Sequence, residues 1–199
     1  MSELQTVEAA LAALLRGVVM TSSAPLPCDQ AAGRVLAEAI EARLDVPTFD
    51  NSAMDGYALH HRDAGKRLPI DQRIAAGSSA TPLAPGTCAR IFTGSEIPSG
   101  ADCVVMQERV EVEADQAAIP SDIPAGENIR RRGRDVAAGD LLLPAGERLE
   151  AAALGHLAGQ GITEVVVRRR PRVALLSTGD EIVDPGLPLA AGQIYNSNR

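Results

Sequence analysis

Between residues 50 and 57 the chain reads Asp50-Asn51-Ser52-Ala53-Met54-Asp55-Gly56-Tyr57. Two carboxylates, a carboxamide and a hydroxyl fall within one short stretch. Asn, Asp and Gly are poor sheet formers, so the segment reads as a shaped turn. Gly56 can take backbone conformations closed to other residues. Two acids on such a turn suit a hard cation such as magnesium, or acid–base chemistry. The plainer reading is that Asp and Asn side chains hydrogen-bond their own turn backbone.

Three further segments carry comparable chemistry. Thr93-Gly94-Ser95-Glu96 with Pro98-Ser99-Gly100-Ala101-Asp102 is a loop of small residues, hydroxyls and backbone amides, which can cradle an oxyanion or simply connect two strands. Gly126 to Asp135 holds Arg130-Arg131-Arg132 and Arg134. Guanidinium forks suit phosphate or other oxyanions, though a charge run is also an ordinary solvated face. Thr178-Gly179-Asp180-Glu181 offers adjacent acids as magnesium ligands, or as helix caps. His60, His61 and His156 fit no catalytic pattern.

Composition limits the function classes. The 199 residues are 45% hydrophobic and carry a net charge of -7. That suffices for one domain or two small ones. No apolar run reaches membrane-spanning length, and no signal peptide is evident, so a cytoplasmic protein is expected. Overall acidity and an aromatic content of 2% disfavour nucleic-acid binding. Local arginine clusters on an acidic chain point to a specific anionic ligand. Cys28, Cys88 and Cys103 show no C-x-x-C pair and imply neither a disulfide framework nor a structural zinc site.

These segments need elements to position them. Apolar spacing predicts a helix over 3–20, through Leu4, Val7, Leu11, Leu14, Leu15 and Val18. A second helix is expected from Asp29 to about Glu41, weakened by Gly33. From 45 to 135, short apolar pieces alternate with turn residues, as in a barrel-like β unit. Strands are expected over 56–60, 70–75, 87–91, 103–107, 109–113 and 117–119, with a hairpin tip at 114–116. A short strand at 141–143, a helix over 150–160 ended by Gly161, and a strand over 164–168 follow. The run 172–177 lacks polar alternation and reads as a parallel strand buried on both faces. It leads into 178–181, where ligands bind in open α/β sheets.

Taken together, the four segments resemble the molybdopterin molybdenumtransferase family, MoeA and its relatives including the gephyrin E-domain. The resemblance rests on Asp45-Val46-Pro47 with 49–58, and on Ile91-Phe92-Thr93-Gly94 with 98–105. It continues through 126–132 with Asp135, 175–181, and 192–195 with Ser197-Asn198.

The resemblance implies an α+β, multi-domain fold. An elongated helix/strand domain would comprise 1–48 and 136–170, with a β-rich barrel-like domain inserted at 49–135. Residues 171–199 would begin an α/β, MogA-like domain. It also implies magnesium-dependent insertion of molybdate into adenylylated molybdopterin, with release of AMP. It implies a homodimer whose sites form between the β-rich domain of one subunit and the α/β domain of the other. Other proteins of molybdenum cofactor biosynthesis are further implied partners; nucleic acid and membrane are not. Asp55, Glu181 and Asp135 take catalytic positions. Thr93, Arg130, Ser52 and Gly94 take substrate-binding positions, and Asp180 with Glu181 is the metal pair. A non-catalytic dimerisation or scaffold module of the same family is the alternative, and a generic anion-binding β protein is a third.

Overall fold

The computed structural model describes residues 5–198. The fold is mixed α and β, mostly sheet with few helices. Its largest unit is a curled six-stranded sheet. The strands are β4 (Gly56–Leu59), β5 (Arg67–Ile74), β6 (Cys88–Ile91), β7 (Cys103–Met106), β8 (Glu111–Glu113) and β9 (Gln116–Ala118), in the order β7-β4-β6-β5-β9-β8. Only β5 and β6 run parallel. The β8–β9 hairpin turns through Ala114 and Asp115, both at positive φ, which matches the expected tip.

Side chains alternate across this sheet with the period of 2 that a pleated strand imposes. Tyr57, Leu59, Cys88, Cys103 and Val105 face one cluster, with Leu68, Ala117 and Ile119. Ala58, Ala89, Ile91 and Val104 face another, with Ile74 and Leu83. The sheet is therefore packed on both sides, and β4 is buried at every residue.

A second unit joins segments distant in sequence. Strand β1 (Ser23–Pro27) pairs antiparallel with β12 (Glu164–Arg168), and β2 (Ile40–Glu41) with β11 (Leu141–Leu143). Helix α2 (Ala151–Gly159) packs Ala153 and Leu157 onto Ala31, Leu36, Leu149, Val165 and Val167. Gly161, at φ +66, follows the end of α2 as expected. The chain leaves this unit at Val46 and returns at Val136, where the two residues bridge. Between them, β3 (Asn51–Ser52) pairs with β10 (Ile129–Arg130) and ties the arginine segment to the Asp50 turn.

Three expectations are corrected. Residues 29–41 form no helix beyond a 3-10 turn at Cys28–Gln30. Gly33 sits at φ +70, and the chain then zips onto neighbours: Leu36 N–H donates to the Glu147 carbonyl and Ala37 N–H to that of Val166, each at 2.9 Å. Tertiary pairing overrides helical periodicity here. The first helix, α1 (Val7–Arg16), is shorter than its apolar spacing predicts. It is capped by the Thr6 hydroxyl, ends at Gly17, and buries no residue. Leu4 lies outside the described residues. The run 172–177 forms no strand, and Val173, Leu175 and Leu176 are exposed. Among the described residues no sheet accepts it; the nearby parallel pair is β13 (Ile182–Val183) with β14 (Ile194–Tyr195).

Candidate active site

Asp55 immediately precedes β4, and Thr93 follows β6, its antiparallel neighbour. The pairing of Gly56 with Ile91 brings the two residues close together just past the end of the ladder. Thr93 donates its amide and its hydroxyl to Asp55 Oδ1, each at 2.8 Å. The Asp55 carbonyl accepts from Gln107 N–H at 3.0 Å, which fixes the backbone on the β7 side. Those two Thr93 bonds, with the nearby Arg90 charge, hold the Asp55 carboxyl below the usual carboxylate range. It is therefore an ionised oxygen donor and a weak base at neutral pH. Asp55 Oδ2 makes no hydrogen bond among the described residues.

Gly56 works differently from the expectation for a turn glycine. Its φ is not positive; instead a Cβ there would overlap the Val105 carbonyl oxygen of β7. Close backbone approach requires glycine at 56. Gly94 is the residue at left-handed φ, +83, with open space around its α-carbon.

Arg90 on β6 supports the pair from behind, and nothing in the sequence had singled it out. Its Nη1 donates to the carbonyls of Gly56 (2.8 Å) and Ile91 (2.9 Å), and Nη2 reaches Gln107 Oε1. Its guanidinium lies 4.5 Å from the Phe92 ring centroid, and Arg73 lies 4.7 Å from the same ring. The alternation Arg90-Ile91-Phe92 in front of Thr93 was the available signal.

The two acids of the turn have separate duties. Asp50 accepts from Arg131 Nη1 at 2.5 Å and from Arg132 N–H at 2.8 Å. Asp45 accepts from Arg132 Nε at 2.5 Å and Ala138 N–H at 2.8 Å. Two of the clustered arginines are thus spent on fixing their own loop. Arg130 is exposed and makes no side-chain bond among the described residues. Its strand pairs it with Asn51.

Ser52 is buried and structural in its contacts: its hydroxyl donates to the Met54 carbonyl at 2.6 Å, and its carbonyl accepts from Gly94 N–H at 2.8 Å. It thereby couples the Asp50 turn to the Thr93 loop. Asn51 Oδ1 and Ser95 Oγ are buried at this junction with no partner among the described residues.

The other expected site residues lie elsewhere. Asp135 is exposed and lines a cavity of about 430 Å³ with Leu142, His156 and Gln160, against α2. Asp180 and Glu181 are exposed on the segment before β13, and the Glu181 carboxylate folds over Gly179. No hydrogen bond or ion pair joins Glu181, Asp135 or Arg130 to Asp55 among the described residues. The structure thus unites Asp55, Thr93, Gly94 and Ser52, with Arg130 on the paired strand.

Known proteins share this sequence pattern and fold. The family model described as "MoeA N-terminal region (domain I and II)" matches residues 5–161. The chain is 43% identical over 183 residues to the molybdopterin molybdenumtransferase of Haemophilus influenzae, covering 90% of this chain and 45% of that protein. It is 42% identical over 181 residues to molybdopterin molybdenumtransferase 2 of Mycobacterium tuberculosis, covering 87% of this chain and 45% of that protein. A crystal structure of a molybdopterin biosynthesis MoeA protein from Pyrococcus horikoshii superposes with a TM-score of 0.81 at 35% identity, covering 98% of this chain and 52% of that one. The chain spans about half the length of these relatives. On the extent of the family match and these identities, the chain belongs to the MoeA N-terminal region family.

Proposed function

We propose that this chain supplies one wall of a molybdenum-inserting site in molybdenum cofactor biosynthesis. The substrates are molybdate and adenylylated molybdopterin, and AMP is released. The observation that carries this reading is the Asp55–Thr93 pair: an ionised carboxylate with one free oxygen, held rigidly beside a loop of amides. Arg130 and the Gly94 loop bind the anionic substrates, because a guanidinium fork and backbone amides suit oxyanions.

The donor set fits magnesium. Asp55 Oδ2 is a hard, ionised oxygen of the type that magnesium takes alongside substrate phosphates. Asp55 would hold the ion, with Asp180 and Glu181 as further oxygen donors from the second wall. When bound, magnesium neutralises phosphate charge. The Thr93 amide and hydroxyl lock the Asp55 rotamer and, with the Arg90 charge, hold the carboxyl deprotonated. Its low basicity makes Asp55 a metal and positioning ligand, leaving proton transfer to Glu181 or Asp135.

The elongated unit, 1–48 with 136–170, serves dimerisation, and 49–135 is the inserted β-rich domain. Exposure of Val7, Leu11, Leu14 and Leu15 on α1 supports a homodimer, since that apolar face is otherwise left in water. Residues 171–199 would open the α/β domain of the partner wall. No helix of the described residues is long and apolar enough to cross a membrane. A cytoplasmic setting follows from the reaction class. The test is Asp55→Asn in a version extended to the length of the relatives. Molybdenum insertion should fall about 100-fold or more, with substrate binding largely kept. Turnover within about threefold of the parent would overturn the reading.

A further inference from the structure

At the opposite end of β4 from Asp55, two histidines converge on one carboxylate. His61 Nδ1 lies 2.5 Å from Asp102 Oδ2, and His60 Nδ1 lies 3.6 Å from the same oxygen. The two imidazole rings are neighbours, 4.9 Å between centroids. Asp102 Oδ1 is already fixed by His61 N–H at 2.6 Å, so the carboxylate cannot turn away. Residues 55 and 60 are five apart along the strand, which separates this cluster from the Asp55–Thr93 pair by roughly 16 Å.

Proton placement makes the cluster more than a hydrogen-bonded clasp. His60 Nδ1 accepts from Arg62 N–H at 3.3 Å, so that nitrogen carries a lone pair rather than a proton. That nitrogen lies 3.6 Å from Asp102 Oδ2. His61 can supply Oδ2 with a single proton, and no lysine or arginine pairs with Asp102 among the described residues. Asp45, Asp50, Asp63 and Asp122 all have such a partner. A cation would satisfy His60 Nδ1 and Asp102 Oδ2 together.

We propose that His60, His61 and Asp102 bind a divalent transition-metal ion of the zinc class. Two neutral imidazoles and a carboxylate are ligands of that class rather than of magnesium or calcium. Metal–ligand bonds of about 2.0–2.1 Å at tetrahedral angles place ligand atoms about 3.3 Å apart. The His–Asp separations of 2.5 and 3.6 Å lie on either side of that value, and the three ligand atoms all lie within 4.8 Å of one another, so side-chain adjustment within the cluster seats an ion. On binding, the His61 proton moves from Nδ1 to Nε2, and the long Arg62 bond to His60 is exchanged for the metal. All three side chains are about one-third exposed, which gives an ion access. A cavity of about 350 Å³, lined by His60, Arg62, Leu83, Pro85 and Thr87, adjoins the site and leaves room for water or an exogenous ligand in the open coordination position. The ion would clip the turn after β4 to Asp102, the residue just before β7.

The site is independent of the proposed molybdenum chemistry, and so is its test. The untagged 199-residue chain is titrated with Zn²⁺ by calorimetry, and with Co²⁺ in the visible region, where tetrahedral nitrogen–oxygen coordination gives d–d bands. One ion per chain should bind and raise the thermal midpoint. His60→Ala and His61→Ala should each weaken zinc about tenfold or more, and the double variant should lose binding and the cobalt bands. Asp102→Asn keeps the oxygen that His61 N–H bonds, so it tests the carboxylate charge in a folded protein, checked by circular dichroism. Asp55→Asn should leave zinc affinity unchanged. Absence of zinc binding by the parent chain, or unaltered affinity in the double histidine variant, overturns the proposal.

Discussion

Gly56→Ala is the sharpest probe of how the Asp55 site is built. The new Cβ would overlap the Val105 carbonyl and lie 3.2 Å from Met106 Cα. The obstacle is backbone of a paired strand, with Tyr57 opposite Val105 and Gly56 opposite Met106, so no side-chain rotation relieves it. Overpacking of this kind costs about 1–3 kcal/mol. Opening the β4–β7 ladder adds about 1 kcal/mol for a weakened hydrogen bond. Reduced freedom of the unfolded chain returns about 0.4–1 kcal/mol. The net expectation is a loss of about 1–3.5 kcal/mol. For a chain of this size that lowers the midpoint by roughly 2–14 °C. Urea denaturation followed by circular dichroism measures it as a lower midpoint concentration at unchanged slope. Gly94→Asn provides the contrast. That position has open space and φ +83, which asparagine tolerates, so its cost should stay below about 1 kcal/mol. A Gly56→Ala loss under about 0.5 kcal/mol, or a larger loss at Gly94, would refute close approach as the reason for glycine at 56.

Two further outcomes follow from charge and burial. The carboxyls of Asp45, Asp50 and Asp55 are held below their ordinary value, first of all by the amides of Ala138, Arg132 and Thr93 respectively. Their folded values lie below the unfolded one, about 3.9, so their contribution is complete above that pH and is lost as pH falls through the folded values. Thermal midpoints should accordingly show no loss from these groups between pH 7 and 5 and a fall below about pH 4; a loss already complete by about pH 5 would contradict the assignment. Cys88 and Cys103 are buried, and burial pushes both thiols up to about 12. The native chain should therefore release one equivalent in a thiol-reagent assay, from half-buried Cys28, and three in denaturant. Prompt native reaction of two or three would contradict the described core.

Legibility in the sequence followed the range of the interactions. Strands β4, β6, β7 and β12 and helix α2 could be read because their apolar patterns are strong and bounded by Gly or Pro, signals local to each element. The segment 29–41 misled because its helical spacing is genuine, while its fate is set by Glu147, Leu149 and Val166, more than 100 residues away. Strand β1 was not expected; it holds Pro25 and Pro27, poor strand residues that an edge strand admits. Of the site, Asp55 and Thr93 were legible as types in a motif. Arg90 was not, because its role depends on β4 and β6 lying side by side. His60 and His61 looked inert for the same reason: their partner, Asp102, lies just before β7, the strand paired on the other side of β4.

The arginine segment shows why residue type alone overstates an anion site. Four arginines between 130 and 134 read as one basic patch, yet Asp50 and Asp45 neutralise Arg131 and Arg132. Those pairs are exposed on the arginine side and contribute little individually to stability. Their geometric effect is larger. Each aspartate also accepts a backbone amide of the same loop, so the loop is fixed in position and charge at once. That fixing orients β10 against β3 and leaves Arg130 on the strand beside Asn51, with no side-chain partner among the described residues. On the proposed reading, an anion at the Asp55–Thr93 turn would meet Arg130 on that strand, with Arg134 as the other arginine of the segment that has no acidic partner among the described residues. Substituting Arg130 should weaken oxyanion binding with little effect on the fold, whereas substituting Arg132 should loosen the loop itself.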